Sequence, residues 1–371
     1  MFIFYSTPAS SAAVKEWRIP TILFLTGPFA GQGVVAKWMA EQAAGEINAS
    51  GGIAGKPLVL DMYDSGMDPK KATSAMAKAI DSKALVTVGP WLELEARAAM
   101  PLAMREGILE VGQGGEDAAT QSLPWTVWLN FRRDDLKHVM RMWVKAVPGM
   151  KSSVSLGIGA FQDIVLLAEV KQKELEAQGI KSKGFIDVPW DSVDFSTPVV
   201  KALATGADTF LIMSIPQATA KIVNELVSRG ADRNKIFIGD GACDSAFIEL
   251  SKGHNEGIYC QASLTYPFKP KWAELNKKYA ESHGGALLPV RWYEFYDAFY
   301  LIKAAIENRG ITGDPSKLKQ ERIAIRDFIA NYKKFDGCKY DYDIIDNFAR
   351  VPMYLFQMRS NKFEYVDMWK P

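Results

Sequence analysis

From Ile19 onward the chain alternates short, apolar, β-rich runs with longer amphipathic runs of helical period, the pattern of a parallel sheet covered on both faces. A first cycle predicts strands over 21–25, 58–63, 85–88 and 108–111, and helices over 34–47, from Pro69 onward, and over 92–105. Asp68 followed by Pro69 marks one helix start: the carboxylate caps, and the proline takes a position whose N–H has no helical partner. After Asn130 the cycle restarts, with helices over 134–147, 163–178, 199–204, 217–229 and 244–251. Strands over 153–158, 183–188, 209–213, 235–239 and 257–262 alternate with them. Thr197 and Pro198 predict a second cap and first turn. Helices over 272–282, 292–308 and 321–332 follow, then strands over 353–358 and 363–368 joined by a turn at Ser360-Asn361. The expected fold is thus two similar α/β lobes. Returning the late helices to the first lobe and the tail to the second assigns 17–130 with 268–345 to lobe one and 131–267 with 346–371 to lobe two. Residues 1–16 fall outside both.

Length agrees with two domains, since 371 residues exceed the roughly 100 to 200 of one. Lys and Arg total 44 against 43 Asp and Glu, a net charge of +1, and the basic residues are scattered, so no field gathers a polyanion and nucleic acid is not an expected partner. Cys243, Cys260 and Cys338 have no metal or redox spacing. Cys243 and Cys260 lie in neighbouring elements and could pair, but reduced, buried thiols are the favoured reading. No apolar run reaches the ~18 residues of a membrane span. Apolar residues 1–5, followed by small and polar residues through Ser11-Ala12-Ala13, are either the tail of an export signal or a disordered terminus.

Catalytic chemistry finds little support. Gly27-x-x-x-Gly31-x-Gly33 does not have the dinucleotide spacing, Pro28 interrupts it, and no phosphate loop is present. His138, His254 and His283 have no nucleophile beside them in an elbow pattern. The expectation is no enzyme, no cofactor and no metal.

Several stretches resemble the type I periplasmic binding proteins, and among them the branched-chain amino acid binding proteins of ABC importers. They are Gly27-Pro28-Phe29-Ala30-Gly31-Gln32-Gly33, the run from Glu46 through Asn48, Gly51-Gly52 and Gly55-Lys56-Pro57-Leu58, Asp64 through Asp68-Pro69, and Val88-Gly89-Pro90. Later matches are Phe131-Arg132-Arg133-Asp134-Asp135, Val193-Asp194-Phe195-Ser196, Gly206-Ala207-Asp208, Gly239-Asp240-Gly241 and Tyr296-Asp297-Ala298. The resemblance implies two Rossmann-like lobes with parallel central sheets, joined by a multi-strand hinge and closing on a small solute. It further implies export to the periplasm or cell exterior, delivery to a membrane permease, and action as a monomer. A ligand-sensing receptor domain on the same fold is the alternative, with a nucleotide-dependent enzyme behind it.

In open parallel sheets ligands bind beyond the carboxyl ends of the strands. The loops there are 27–33, 89–93, 112–117, 130–135, 159–162, 214–217 and 239–244. They and the helix after them supply the candidate ligand-binding residues Trp91, Glu93, Gln113, Gly114, Gly115, Arg132, Phe161, Ser214, Asp240 and Tyr296. Trp91, Phe161 and Tyr296, with Trp128 and Trp190, are candidate aromatic walls, although aromatic residues more often pack cores. Asp240 and Asp244 are candidates for an ammonium group. Where amino acid binders of this family carry hydroxyl residues for the ligand carboxylate, this chain has Glu93 and the run Gly112-Gln113-Gly114-Gly115-Glu116. A carboxylate at Glu93 would repel an anion or select an amine or amide donor. The backbone N–H groups of Gly114 and Gly115 are the remaining anion donors in that loop.

Overall fold

The protein is described here from a computed structural model covering residues 14–27, 29–112, 116–189, 192–239, 242–243, 245–251, 253–262, 269–289 and 291–371. Along the chain come β1 (Trp17–Leu23), α1 (Ala30–Ala49), β2 (Leu58–Asp64), α2 (Pro69–Asp81), β3 (Val86–Val88), α3 (Glu93–Glu106), β4 (Leu109–Gly112), α4 (Glu116–Gln121) and β5 (Thr126–Trp128). A second series follows a 3-10 turn at Arg133–Asp135: α5 (Leu136–Ala146), β6 (Ser152–Gly157), α6 (Gln162–Ala177), β7 (Lys181–Asp187), α7 (Ser196–Ala204), β8 (Thr209–Met213), α8 (Pro216–Ser228), β9 (Ile236–Ile238), α9 (Ser245–Leu250), β10 (Tyr259–Ala262) and α10 (Pro270–Ser282). The chain closes with α11 (Glu294–Arg309), α12 (Leu318–Ile329), β11 (Phe335–Asp336), β12 (Asp341–Ile345), β13 (Phe348–Arg350), β14 (Met353–Arg359) and β15 (Lys362–Trp369). No described helix is long and apolar enough to cross a membrane.

These strands form two sheets, ordered β11-β12-β13-β5-β4-β3-β1-β2 and β15-β14-β10-β9-β8-β6-β7. The first five strands of each series are parallel to their neighbours, in the orders β2-β1-β3-β4-β5 and β7-β6-β8-β9-β10. Both are the doubly wound 2-1-3-4-5 order, which follows when right-handed crossovers place helices on both faces. β14 and β15 extend the second sheet in antiparallel fashion.

Two compact units result, one of residues up to Leu129 with Glu294–Phe335 and Ile344–Phe348, the other of Asn130–Tyr293, Asp336–Asp343 and Ala349–Pro371. In the first, α2 buries Ala72, Ala75, Met76 and Ala79, and α3 buries Ala96, Ala99, Met100 and Ala103. Both sets recur at three- and four-residue spacing, and their alanines let the two helices pack closely. The core of the second unit runs through Val154, Leu156, Phe210, Ile212, Ile236 and Ile238 on its central strands.

Asp68 caps α2 as the spacing predicts, accepting from the N–H of Lys70 at 2.8 Å. Thr197 does not cap α7. That helix starts at Ser196, and Asp194 Oδ1 accepts from its backbone N–H at 2.9 Å and its hydroxyl at 2.7 Å. Helix α10 also departs from the expected division and groups with the second unit. Lys269, just ahead of it, binds Asp336, the Gly337 carbonyl at 2.8 Å and Asp341 at 2.5 Å. Lys339 Nζ lies 5.0 Å from the Trp272 ring centroid and 5.1 Å from that of Tyr293.

Cys243 and Cys260 form a disulfide, with Cα atoms 5.8 Å apart, correcting the reading of two reduced thiols; Cys338 is buried and is not part of this bond. The bond pins the segment after β9 to β10. It closes a loop across a sequence separation of 17 residues. Replacing both cysteines by alanine is expected to cost about 3 kcal/mol in urea unfolding, the loop-closure entropy of a bridge this size. A change below ~1 kcal/mol would show that the bridge does not constrain the unfolded chain in that way.

Candidate functional site

A doubly wound sheet leaves a crevice where its strand order reverses, because the helices after the two flanking strands leave on opposite faces. In the first unit the reversal lies between β1 and β3, and in the second between β6 and β8.

At the end of β1, backbone stands where side chains usually separate elements. A Cβ on Gly33 would lie 2.1 Å from the Phe24 carbonyl oxygen, and one on Gly89 would lie 2.3 Å from that of Ile22. Gly89 is also left-handed, at φ +78°. Asp64, at the end of β2, stitches this region together. Its carboxylate accepts from the N–H groups of Leu25, Thr26 and Gly66 at 2.8, 3.2 and 2.9 Å and from the Thr26 hydroxyl at 2.6 Å. Burial pushes its pKa up, but the Thr26 hydroxyl and the backbone donors hold it below the ordinary aspartate value.

Trp91 follows β3, half-buried, with its ring 5.7 Å from that of Phe24, so one aromatic pair spans the reversal in the first unit. Glu93 opens α3, and Arg97 Nε donates to its Oε1 at 2.5 Å. Trp128 ends β5 as a core residue, 6% exposed and packed with Ala119 and Phe348.

In the second unit Phe161 follows β6 at the N-cap of α6. Arg132 stands half-buried at the N-cap of the Arg133–Asp135 turn; the hydrogen bond from Lys137, helped by the charge of Arg132, lowers the pKa of Asp134, and burial raises that of Asp135 against the charges of Arg350 and Arg132. Its neighbour Arg133 reaches Asp163, in the first turn of α6, at 3.1 Å. Ser214 follows β8, 9% exposed, and its hydroxyl has no hydrogen-bond partner among the described residues. A buried hydroxyl without a partner costs about 1–3 kcal/mol.

Phe161 and Ser214 thus stand on the two strand ends flanking the second reversal, as Trp91 and Glu93 stand beside the first. Tyr296 does not join them. It is 3% exposed on α11, its hydroxyl donates to Glu46 in the last turns of α1, and its ring lies 5.0 Å from that of Tyr300. Burial, then the bond to Glu46, drives its pKa far above the ordinary value. The reason is the helix packing: α11 lies against α1, and the Tyr296 hydroxyl bonds across to it. Gln113, Gly114, Gly115 and Asp240, with Trp190 and Asp244, lie outside the described residues. Phe24 and Arg97 were not singled out from the sequence, and Asp64 only as part of a stretch that resembles the family. Phe24 reads there as one more apolar strand residue, and a side chain's reach across two loops has no sequence signature.

A family model described as periplasmic binding protein matches residues 16–362. The chain belongs to this family of solute-binding proteins. Among curated relatives of this periplasmic binding protein, the Leu/Ile/Val-binding protein homolog 3 of Brucella melitensis is 30% identical over 311 residues, 82% of each chain. The Leu/Ile/Val-binding protein of Citrobacter freundii is 30% identical over 103 residues, and that match spans 28% of each chain. Among solved structures, the branched-chain amino acid transporter substrate binding protein LivJ of Streptococcus pneumoniae, in complex with isoleucine, superimposes with a TM-score of 0.80 at 20% identity, covering 96% of this chain and 100% of that one. At that identity the likeness shows the fold.

Two buried carboxyls underlie the loops of the first unit in this binding protein. Burial pushes Glu110, on β4, up to about 8, against the Thr126 hydroxyl and the Gly89 N–H, and pushes Glu95, on α3, up to about 7, against Ser65 and the backbone of Leu92 and Met67. A carboxyl with a raised folded pKa contributes stability that is complete below its ordinary value of 4.5 and is lost as pH rises through the folded value. The stability of the wild-type protein relative to Glu110→Gln should therefore fall by a few kcal/mol between pH 4 and about 9, read from urea unfolding at each pH. Parallel profiles for the two proteins would show that Glu110 does not carry this dependence.

Proposed function

We propose that this chain is the substrate-binding component of an ABC importer, working in the periplasm or at the cell exterior. It takes up one small solute and delivers it to a membrane permease. The observation that carries this reading is the matched pair of strand reversals. One presents Trp91 against Phe24, and the other presents Phe161 and the unpartnered hydroxyl of Ser214. An aromatic wall with a few placed polar groups suits a small amphipathic solute. The pair repeats on both units the site that the 2-1-3-4-5 order offers to ligands.

Amino acids rank first as solutes, supported by the relatives named for leucine, isoleucine and valine. Aromatic carboxylates follow because of the aromatic residues, then amides, because Glu93 occupies a position where a hydroxyl would hold a carboxylate. Binding is reversible and without turnover.

A thermal-shift screen over amino acids, aromatic acids, amides, polyamines, sugars and nicotinamide cofactors tests the proposal, with calorimetry on each hit. One solute should raise the melting temperature saturably and remain unconsumed, the stabilisation approaching about 2.7 kcal/mol at a hundred times Kd. Trp91→Ala should then raise Kd roughly tenfold through lost apolar contact. Turnover of the solute, or a shift with a nicotinamide cofactor alone, would overturn the transport reading. An unchanged Kd for Trp91→Ala would remove that residue from the site.

A further inference from the structure

We infer that Gln261 is a specificity-determining residue of the solute site. Its side-chain carbonyl, buried at the carboxyl end of β10, accepts a hydrogen bond from the solute, which therefore reaches past the ends of β8 and β9 and carries an N–H donor at its far end. The inference rests on the solute-binding reading above and narrows the solute to one whose amide, or other N–H group, is remote from the end that meets Ser214.

β8, β9 and β10 are adjacent and parallel, with Ile212, Ile238 and Cys260 level across them. The next level is Met213, Gly239 and Gln261. The Gly239 N–H donates to the Ile212 carbonyl at 3.0 Å, so the ladder runs that far. On its other side Gln261 is paired with Leu355 of β14. Level residues of neighbouring strands share a face of the sheet. The Gln261 amide thus lies between a residue with no side chain and one with an apolar side chain, and neither side chain can partner it.

Gln261 is 1% exposed, and its Oε1 has no hydrogen-bond partner among the described residues. An unpartnered buried acceptor costs more than a made hydrogen bond contributes. Methionine, of similar length and apolar, would avoid that cost. A polar side chain in this state at the ligand-facing end of a strand is accounted for when the missing donor arrives with the solute.

Such an acceptor selects. A solute without the matching donor leaves the carbonyl unpaired in the complex and is rejected for that reason. Ser214, after β8, has the other unpartnered group at this end of the sheet. With neighbouring strands about 4.8 Å apart, the ends of β8 and β10 lie about 10 Å from each other. Between them Met213 covers Gly239, its Sδ 3.2 Å from where a Cβ would stand. A solute that meets both ends is polar at each and apolar in the middle. L-Glutamine and benzamide carry the amide this pattern asks for, whereas the far end of L-leucine is apolar.

Thr209 provides the control. It is fully buried and its hydroxyl is also unpartnered, but it begins β8, at the end of the sheet away from the crevice.

Gln261→Met, Gln261→Leu and Thr209→Val test the inference in two measurements. In thermal unfolding of the ligand-free protein, Gln261→Met should melt about 1–3 °C higher than wild type, because an unpaired acceptor is gone. In calorimetry, the wild type should bind L-glutamine or benzamide at least about tenfold more tightly than L-leucine, and both Gln261 variants should erase that preference while Thr209→Val keeps it. Gln261 variants that melt lower than wild type, or fail to fold, would mean that water or a protein group already satisfies the amide, which overturns the inference. A wild type that prefers L-leucine, or binds none of the three probes, overturns the assigned solute class. Tight binding of L-leucine that the Gln261 variants leave unchanged removes Gln261 from the site and leaves the transport reading standing.

Discussion

At the carboxyl end of β1, three stretches of backbone meet with no side chain between them. Gly33 brings the first turn of α1 onto the carbonyl of Phe24, and Gly89 brings the end of β3 onto that of Ile22. Any larger residue at either place would have to push a helix or a strand aside, and Gly89 holds in addition a left-handed φ that side chains disfavour. The position of Trp91 over Phe24 follows from this approach, as does the closeness of the loop that Asp64 gathers with its backbone donors. The first unit builds its loop end from contacts between main chains, and the aromatic and charged side chains are hung on that frame.

Much of this was legible in the order of residues. The run over 209–213 reads as a buried strand and is β8. Asp68-Pro69 reads as a helix start and caps α2. Ser360 and Asn361 read as a hairpin turn and adopt φ values of 49° and 58°, the left-handed pair that joins β14 to β15. What local pattern cannot carry is distance across the fold. β5, β11, β12 and β13 were not predicted: they are short, and unlike the equally short β3 and β9 they do not fall in the regular strand–helix alternation that marks the others. The pairing of Cys243 with Cys260 depends on how β9 and β10 lie side by side, which spacing does not state. For the site, the rule that ligands meet strand ends leads to Trp91, Phe161 and Ser214, which stand after β3, β6 and β8. It says nothing of the hydroxyl of Tyr296, which bonds Glu46 where α11 packs against α1.

The ionisable groups near the loops of the first unit divide by surroundings. Asp64 is wrapped in donors and stays charged, whereas Glu110, wholly buried with the Thr126 hydroxyl at 2.6 Å, binds its proton more tightly. The same side-chain chemistry thus supplies a fixed charge that organises a loop and a protonated group that lies inside a sheet.

Among the described residues, the second sheet ends in two strands, β7 and β15, with no strand on their outer edges. β7 carries Lys181, Lys183 and Asp187, and β15 carries Lys362, Glu364 and Asp367, most of them exposed. Both edge pairs also slip register, between Ser153 and Ser155 where β6 meets β7 and between Leu355 and Phe356 where β14 meets β15. Charge and irregularity on an open edge discourage a second copy from adding its own strand there. A chain with such borders resists edge-to-edge aggregation, and so tolerates crowding with its own kind.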